Sequence, residues 1–327
     1  MAENYGLPYT GSKSKIAHWV VDNLPCGRVL IDAFAGGCAI THRALLSQKW
    51  QTIIANDING KCPQLFLDAV QGKYRDEKRW ISREDFERLK SQDAFVACCW
   101  SFGNDLRNYM YSRRIEPYKR ALHYAIVFDD FAPMQELMPE VAQAITEALL
   151  GQKKLHDRRI TAQNVIVKTL KRLTGDNYEH QIIQSNPIYQ SIQHSNKDAQ
   201  RLERLESLER LERLQNLQSL KSLQSLESLR VTSLSYDEID IPDDAVVYCD
   251  PPYHACDKSL YEGTADAFDH NAFYDWCVDV SKTNPIFISE YSIEDDRFEI
   301  VAEKQKMTSF SSAKSVNVTE RLYTVKK

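Results

Sequence analysis

Residues 27–37 read GRVLIDAFAGG. An apolar run, Val29 to Ile31, meets an acid and then two adjacent glycines. The stretch that follows, CAITHRALLSQ, has helical spacing, and TIIANDIN then reads as a second strand ending at Asp57. Strand, glycine turn, helix, strand is the start of a doubly wound parallel sheet, so the expected fold class is α/β. Further downstream AVVYCDPPY and PIFISEY read as buried strands, and RLYTVKK as a last one.

The pattern changes between Gly60 and Arg230. FLDAVQGKY, REDFERLKSQDAFVACCW, MPEVAQAITEALL and NVIVKTLKRL all carry helical periodicity, and no buried strand stands out. The expected organisation is therefore an α/β domain split into 1–59 and 231–327, with a mostly helical insertion over 60–230. The insertion ends in a repeat: from Leu202 to Leu229 a leucine stands at every third position, ten in all. Each step of three leaves a leucine about 60° behind the last on a helix, so the stripe winds right around it. A 3₁₀-helix or a three-sided coil of turns would align the leucines, but Glu, Arg, Gln and Leu favour a helix. The repeat is a candidate for self-association, with expansion of near-identical triplets as the bland alternative.

Composition bounds the rest. The chain has 327 residues, enough for one large domain or two ordinary ones, and 43% apolar content can fill a core. No apolar run approaches the roughly 20 residues of a membrane span, and the N-terminal stretch lacks a signal-peptide core. The eight cysteines form no CxxC pair, which points to free thiols in a reducing cytosol and hence a cytoplasmic protein. Cys and His never cluster with ligand spacing, so no metal is expected. The net charge of −5 does not favour nucleic acid, yet seven Lys or Arg against one Asp lie between Gly151 and Leu173. YSRRIEPYKR (111–120) is likewise basic and aromatic; a solvated helix face would look the same.

Two constellations carry chemistry. In DAFAGG (32–37) the glycines allow close backbone approach to a ligand, and Asp57, 25 residues after Asp32, stands where an acid takes ribose hydroxyls. The spacing is not GxGxxG, which disfavours NAD. The second is VVYCDPPYHAC (246–256). Neither Pro251 nor Pro252 offers an N–H, and each stiffens the residue before it. What remains is acceptors, the Asp250 carboxylate and fixed carbonyls, which suit a substrate presenting an exocyclic amine. Tyr253 adds a ring for stacking. A plain strand-end turn with a core tyrosine is the structural alternative.

DPPY after an apolar strand, with DAFAGG far upstream and a long insertion between, resembles the Dam-type DNA adenine methyltransferases of bacteria and phages. LPYTGSKSKIAHWVVDNLP is similar to the family's segment that closes over the cofactor, SFGNDLRNYMYSRRIEPYKRALH to its DNA-reading region, and ISEY and ERLY also match. The resemblance implies a Rossmann-like methyltransferase sheet carrying a DNA-recognition insertion, with S-adenosylmethionine as cofactor and double-stranded DNA as partner. It also implies a restriction–modification setting, although no nuclease motif stands out in the chain. Tyr9, Gly11 and Lys13 would contact the methionine part of the cofactor, Lys13 pairing with its carboxylate. Asp32, Phe34, Gly36 and Gly37 would shape the pocket, Asp57 would hold the ribose, and Ile58 would lie against the adenine. Relatives often place an acid and an aromatic before DPPY; here Ser235 and Tyr236 stand there, with Asp237 next. Asp250, Pro251, Pro252 and Tyr253 would act on N6 of a flipped adenine. Arg107, Arg113 and Arg114 are candidates for base edges or phosphates, Asn104 for bidentate contact with an adenine, and Lys119, Arg120, Lys153, Lys154, Arg158 and Arg159 for phosphates. Rival readings are methylation of cytosine N4, of an RNA adenine or of a protein glutamine, and a catalytically silent DNA-binding relative.

Overall fold

The computed structural model describes residues 5–7, 11–74, 77–102, 106–152, 154–174, 228–253, 268–309 and 315–327. Two compact units divide the chain: Met1–Arg75 with Ser207–Lys327, and Asp76–Glu206.

The first unit is built on a seven-stranded sheet. Its strands are β1 (Gly27–Asp32), β2 (Trp50–Asn56), β3 (Leu229–Thr232), β4 (Val246–Cys249), β5 (Ile286–Glu290), β6 (Phe298–Ser309) and β7 (Ser315–Val325). They lie in the order β3-β2-β1-β4-β5-β7-β6. The first five are parallel, β7 runs antiparallel to β5, and β6 antiparallel to β7. Helices α1 (Ala17–Asn23), α2 (Ala39–Ser47) and α3 (Lys61–Val70) belong to this unit, as does a late helix over His270–Val280.

The central strands form because their sequences are apolar without alternation, as strands covered on both faces require. Every residue of β4 and β5 is buried, and so are the last four of β1. Val29, Ile31, Val247, Cys249, Ile286 and Ile288 join Phe273 and Cys277 of the late helix in one core. Edge strand β6 differs: after Phe298 its described side chains are half-buried or exposed.

The second unit is helical among its described residues. It contains α4 (Arg83–Leu89), α5 (Ala94–Cys99), α6 (Glu116–Phe128), α7 (Ala132–Leu137), α8 (Pro139–Leu149) and α9 (Leu155–Thr174), so the late helix of the first unit is α10. Met134, Met138, Val141, Ile145 and Leu149 pack with Ala121 and Ala125 of α6 and Ile166 of α9. Side-chain caps explain the starts of α4 and α5: Ser82 accepts from the Asp85 N–H, and Asp93 from the Val96 N–H.

The contact boundary at 75/76 leaves α3 with the sheet, whereas the sequence reading began the insertion at residue 60. The leucine repeat lies outside the described residues except at its end. There Leu229 opens strand β3 and is buried, so the helix expected through that position does not reach it. Neighbouring β2 supplies the reason, pairing Ile53 with Leu229 and Asn56 with Thr232. Among the described residues no helix is long and apolar enough to cross a membrane, and no group of three His, Cys, Asp or Glu is placed to hold a metal ion.

Candidate active site

The strand order reverses between β1 and β4: from β1 the chain builds outward to β2 and β3 on one side, and β4 and β5 fill the other. In open α/β sheets ligands bind at the carboxyl ends of strands at such a switch point. The glycine turn after β1 and the Asp-Pro-Pro-Tyr stretch after β4 both stand there. Asp32 pairs in register with Tyr248, and the Ala33 N–H donates to the Tyr248 carbonyl at 2.9 Å.

The turn is held from three sides. The Ala35 N–H donates to the Asn56 carbonyl at 2.8 Å. The Gly36 N–H donates to Asp57 Oδ2 at 2.9 Å, with Gly36 at φ +45°. From the N-terminal segment, the Leu7 N–H donates to the Gly37 carbonyl at 2.7 Å. Gly6, at φ +69°, lies so close that a Cβ there would meet the Gly37 oxygen at 2.4 Å. A side chain at Gly6 would push the segment off the turn.

Asp32 is fully buried and works as a displaced helix cap. Its Oδ2 accepts from the Thr41 N–H at 3.1 Å and the Thr41 hydroxyl at 2.7 Å, in the first turn of α2. Cys38, the residue before α2, sits in the left-handed region at φ +59° and gives no side-chain cap. Asp32 Oδ1 has no hydrogen-bond partner among the described residues. Burial raises the Asp32 pKa to about 7, against the Thr41 hydroxyl, and the nearby Asp250 charge adds to the rise. Burial likewise raises Asp57, against the N–H donors of Gly36 and Asn59.

Asn56 has a role that its sequence did not reveal. Its amide donates to the Ala33 and Leu234 carbonyls, each at 3.0 Å. Its oxygen accepts from the Thr232 hydroxyl at 2.8 Å and the Leu234 N–H at 3.0 Å. All four hydrogen-bonding positions of a buried amide are thereby used, and the ends of β1, β2 and β3 are tied together. Its one sequence signal was its place beside Asp57 at a strand end.

Aromatic rings form one wall. Phe34 in the turn stacks on Tyr236, centroids 5.8 Å apart and planes 29° apart. Phe268, Phe273 and Trp276 meet Tyr236 at 5.8, 5.3 and 5.1 Å. Ser235 opens the 3₁₀ turn Tyr236–Glu238 through a reciprocal capping box with Glu238. That turn presents the Tyr236 ring, whose pKa is raised by burial and by Asp237. Ile58 is 68% exposed.

The Asp-Pro-Pro-Tyr stretch is held by residues from the N-terminal segment and from β7. Lys13 is buried, and its Nζ stands 2.7 Å from Asp250 Oδ1 and 3.9 Å from Glu320 Oε1. The resemblance placed Lys13 on a cofactor carboxylate; here its charge faces two carboxylates of the chain. The same ammonium lies 4.5 Å from the centre of the Tyr253 ring. Tyr253 donates its hydroxyl to Glu320 Oε1 and packs edge-on to Tyr291 at 4.6 Å. Burial, then the Asp250 charge, raises the Tyr253 pKa well above the ordinary phenol value. Glu320 is fully buried on β7. Its only sequence signal was its place in ERLY.

Of the residues proposed from the sequence, Lys13, Asp32, Phe34, Gly36, Gly37, Asp57, Tyr236, Asp250 and Tyr253 belong to these linked contacts or the turn they frame. Gly11 lies at φ +78° two residues before Lys13. Tyr9, Asn104 and Lys153 lie outside the described residues.

In the second unit Arg107, Arg113, Arg114, Arg120 and Lys154 are exposed, and Arg159 is half-buried. The Arg120 guanidinium lies 5.4 Å over the Tyr124 ring. Two expected phosphate contacts are instead buried, Lys119 and Arg158. Arg158 Nε donates to the Ile126 carbonyl at 2.7 Å, and its terminal nitrogens to the carbonyls of Ala125, Leu149 and Gln152 and to Asp129 Oδ1. Its five N–H groups are thus committed to the C-terminal ends of α6 and α8, which leaves none for a phosphate.

A family model described as D12 class N6 adenine-specific DNA methyltransferase matches residues 9–135. The match takes in Lys13, the glycine turn and Asp57 and stops before Asp250. A stretch of 63 residues is 38% identical to the Type II methyltransferase M2.HphI of Haemophilus parahaemolyticus. That alignment covers 19% of this chain and 18% of the relative. Over residues 9–135, then, the chain is similar to the D12 class N6 adenine-specific DNA methyltransferases.

Proposed function

We propose that the chain transfers a methyl group from S-adenosylmethionine to N6 of an adenine taken out of duplex DNA. The observation that carries this reading is the juxtaposition at the switch point: a glycine turn closing β1 beside an acceptor-only Asp250–Tyr253 stretch closing β4. The residues present fit the cofactor. Two carboxylates, Asp250 and Glu320, share one buried ammonium, Lys13, an excess of acid that suits a ligand carrying positive charge. Asp32 Oδ1 is an open buried acceptor. Each Asp57 oxygen takes one backbone N–H, at 2.9 Å, and keeps a second lone pair for a ribose hydroxyl.

S-adenosylmethionine, when bound, supplies a methyl on an electron-poor sulfonium. Lys13, Gly11, Asp32, Phe34, Gly36, Gly37, Asp57, Ile58, Ser235 and Tyr236 would hold it. Asp250 and the Pro251 carbonyl accept the two amino hydrogens of the target, which concentrates the nitrogen lone pair and aims it. Pro251 and Pro252 bring no N–H to compete for that amine. Fixed acceptors of this kind act by positioning and by prearranged dipoles. Unstacking the base costs a few kcal/mol, and a face of Tyr253 offsets part of it. The exposed arginines of the second unit would meet DNA, and the protein would work in the cytoplasm.

The test is direct. Labelled S-adenosylmethionine and unmodified duplex DNA are incubated with the protein, the DNA is hydrolysed, and the methylated base is identified. Label in N6-methyladenine is expected; label in cytosine, or none in DNA, overturns the reading. Asp250→Ala should lower transfer by at least about 100-fold while DNA binding holds within about threefold.

A further inference from the structure

We infer that Glu320 is a positioning residue for the transfer reaction, acting through the Tyr253 hydroxyl and through the Lys13 ammonium that it shares with Asp250. The inference rests on the function proposed above and names a residue to which that reading gave no part in the transfer step.

Strand β7 carries Glu320 to the site from the far end of the chain. β7 pairs with β5 at Glu290↔Arg321 and Ser289↔Leu322, which places Glu320 just past the carboxyl end of β5. At that place Glu320 is fully buried, a costly position for a carboxylate unless it is held. The Tyr253 hydroxyl donates to it, and Lys13 lies at 3.9 Å. Lys13 is closer to Asp250, at 2.7 Å. One ammonium therefore stands near two carboxylates, one from the stretch after β4 and one from β7.

The consequence is geometric. The Tyr253 ring is fixed by Glu320 at its hydroxyl, by Lys13 at 4.5 Å and by Tyr291 edge-on at 4.6 Å. Two of those restraints involve Glu320, directly or through the shared ammonium. Loss of Glu320 takes the acceptor from the Tyr253 hydroxyl and removes one of the two carboxylates near Lys13. The ring that receives the base and the carboxylate that receives the amine would then both lose their fixed angle. In this proposal Glu320 acts through Tyr253 and Lys13, not on the amine or the methyl.

A double-mutant cycle tests it in the full chain. Glu320→Ala should lower kcat by about 10- to 100-fold, the scale of a misplaced reactive group, with the KM for S-adenosylmethionine changed less than about threefold. Glu320→Gln keeps an acceptor for the Tyr253 hydroxyl and should recover part of that loss. In a Tyr253→Phe background the step from Glu320 to Gln should shrink to less than about threefold, because the hydroxyl it serves is gone. Wild-type kcat in Glu320→Ala overturns the inference. So does a full and undiminished Glu320→Gln effect in the Tyr253→Phe background, or a loss confined to KM. Should Glu320→Ala not fold, the Gln variant and its cycle decide alone. If the wild-type chain methylates no DNA, the proposed function itself fails; an active wild type with an indifferent Glu320 defeats the positioning role only.

Discussion

Asp32 shows how one carboxylate can serve a helix and burden the fold at the same time. It caps α2 through Thr41, yet burial lifts its pKa to about 7, so near neutrality the folded protein retains a proton that the unfolded chain has released. A raised folded-state pKa stabilises fully below the unfolded value, near 3.8, and that contribution is lost as pH rises through about 7. Asp32→Asn keeps an acceptor for both Thr41 donors and removes the titration. Its urea midpoint should gain on wild type as pH goes from 4 to 7 and level off above. The gain should be on the order of 2–4 kcal/mol, the value of a shift of this size. Equal midpoint differences at pH 4.5 and pH 8 would remove this account of Asp32.

At the scale of elements, Arg158 decides how two helices end. The last carbonyls of a helix lack partners within it and carry partial negative charge. A buried guanidinium from α9 serves the ends of α6 and α8 together. Arg158→Ala should cost about 3 kcal/mol or more, since it strands several buried acceptors. Arg158→Lys should recover little, because one ammonium cannot reproduce a five-donor fork. Hydrogen exchange of peptides across 116–149 measures this: protection should fall there and hold in peptides from β1, β4 and β5. Arg158 also marks where sequence reading stops. A basic run looks the same whether its arginines face phosphate or carbonyls, because the carbonyls belong to other elements. Buried parallel strands were legible in β1, β2, β4 and β5, since continuous apolar runs have few other uses. β6 was not, because an exposed edge strand needs no apolar run, and in FEIVAEKQKMTS a short apolar stretch gives way to four polar or charged residues. β3 was hidden because it starts on the last leucine of the repeat, whose strict period masked the pairing with β2. In the site, Asp250 and the glycine turn announced themselves by residue type. Asn56 and Glu320 did not, because their roles depend on partners 178 and 67 residues away.

For the whole molecule, the order of strands in the sheet is not the order in which they are made. β1 and β2 are neighbours in both senses, with Ile31 opposite Ile54. Their outer edges wait. β2 pairs with β3 only when Leu229 arrives, and β1 with β4 only when Val246 does. At roughly 5–20 residues per second, synthesis of the intervening chain leaves that pair with two open edges for about 10 to 40 seconds. Those edges carry Val29, Leu30, Ile53 and Ile54, the kind of exposed apolar strand that recruits other strands. A chain stopped at residue 228 should therefore pellet on expression, and one carried through residue 327 should stay in the supernatant; equal recovery of both would show that the edges are harmless. The long insertion thus has a cost that no feature of the finished fold displays, an interval of vulnerability on the ribosome set by the distance between a strand and its neighbour.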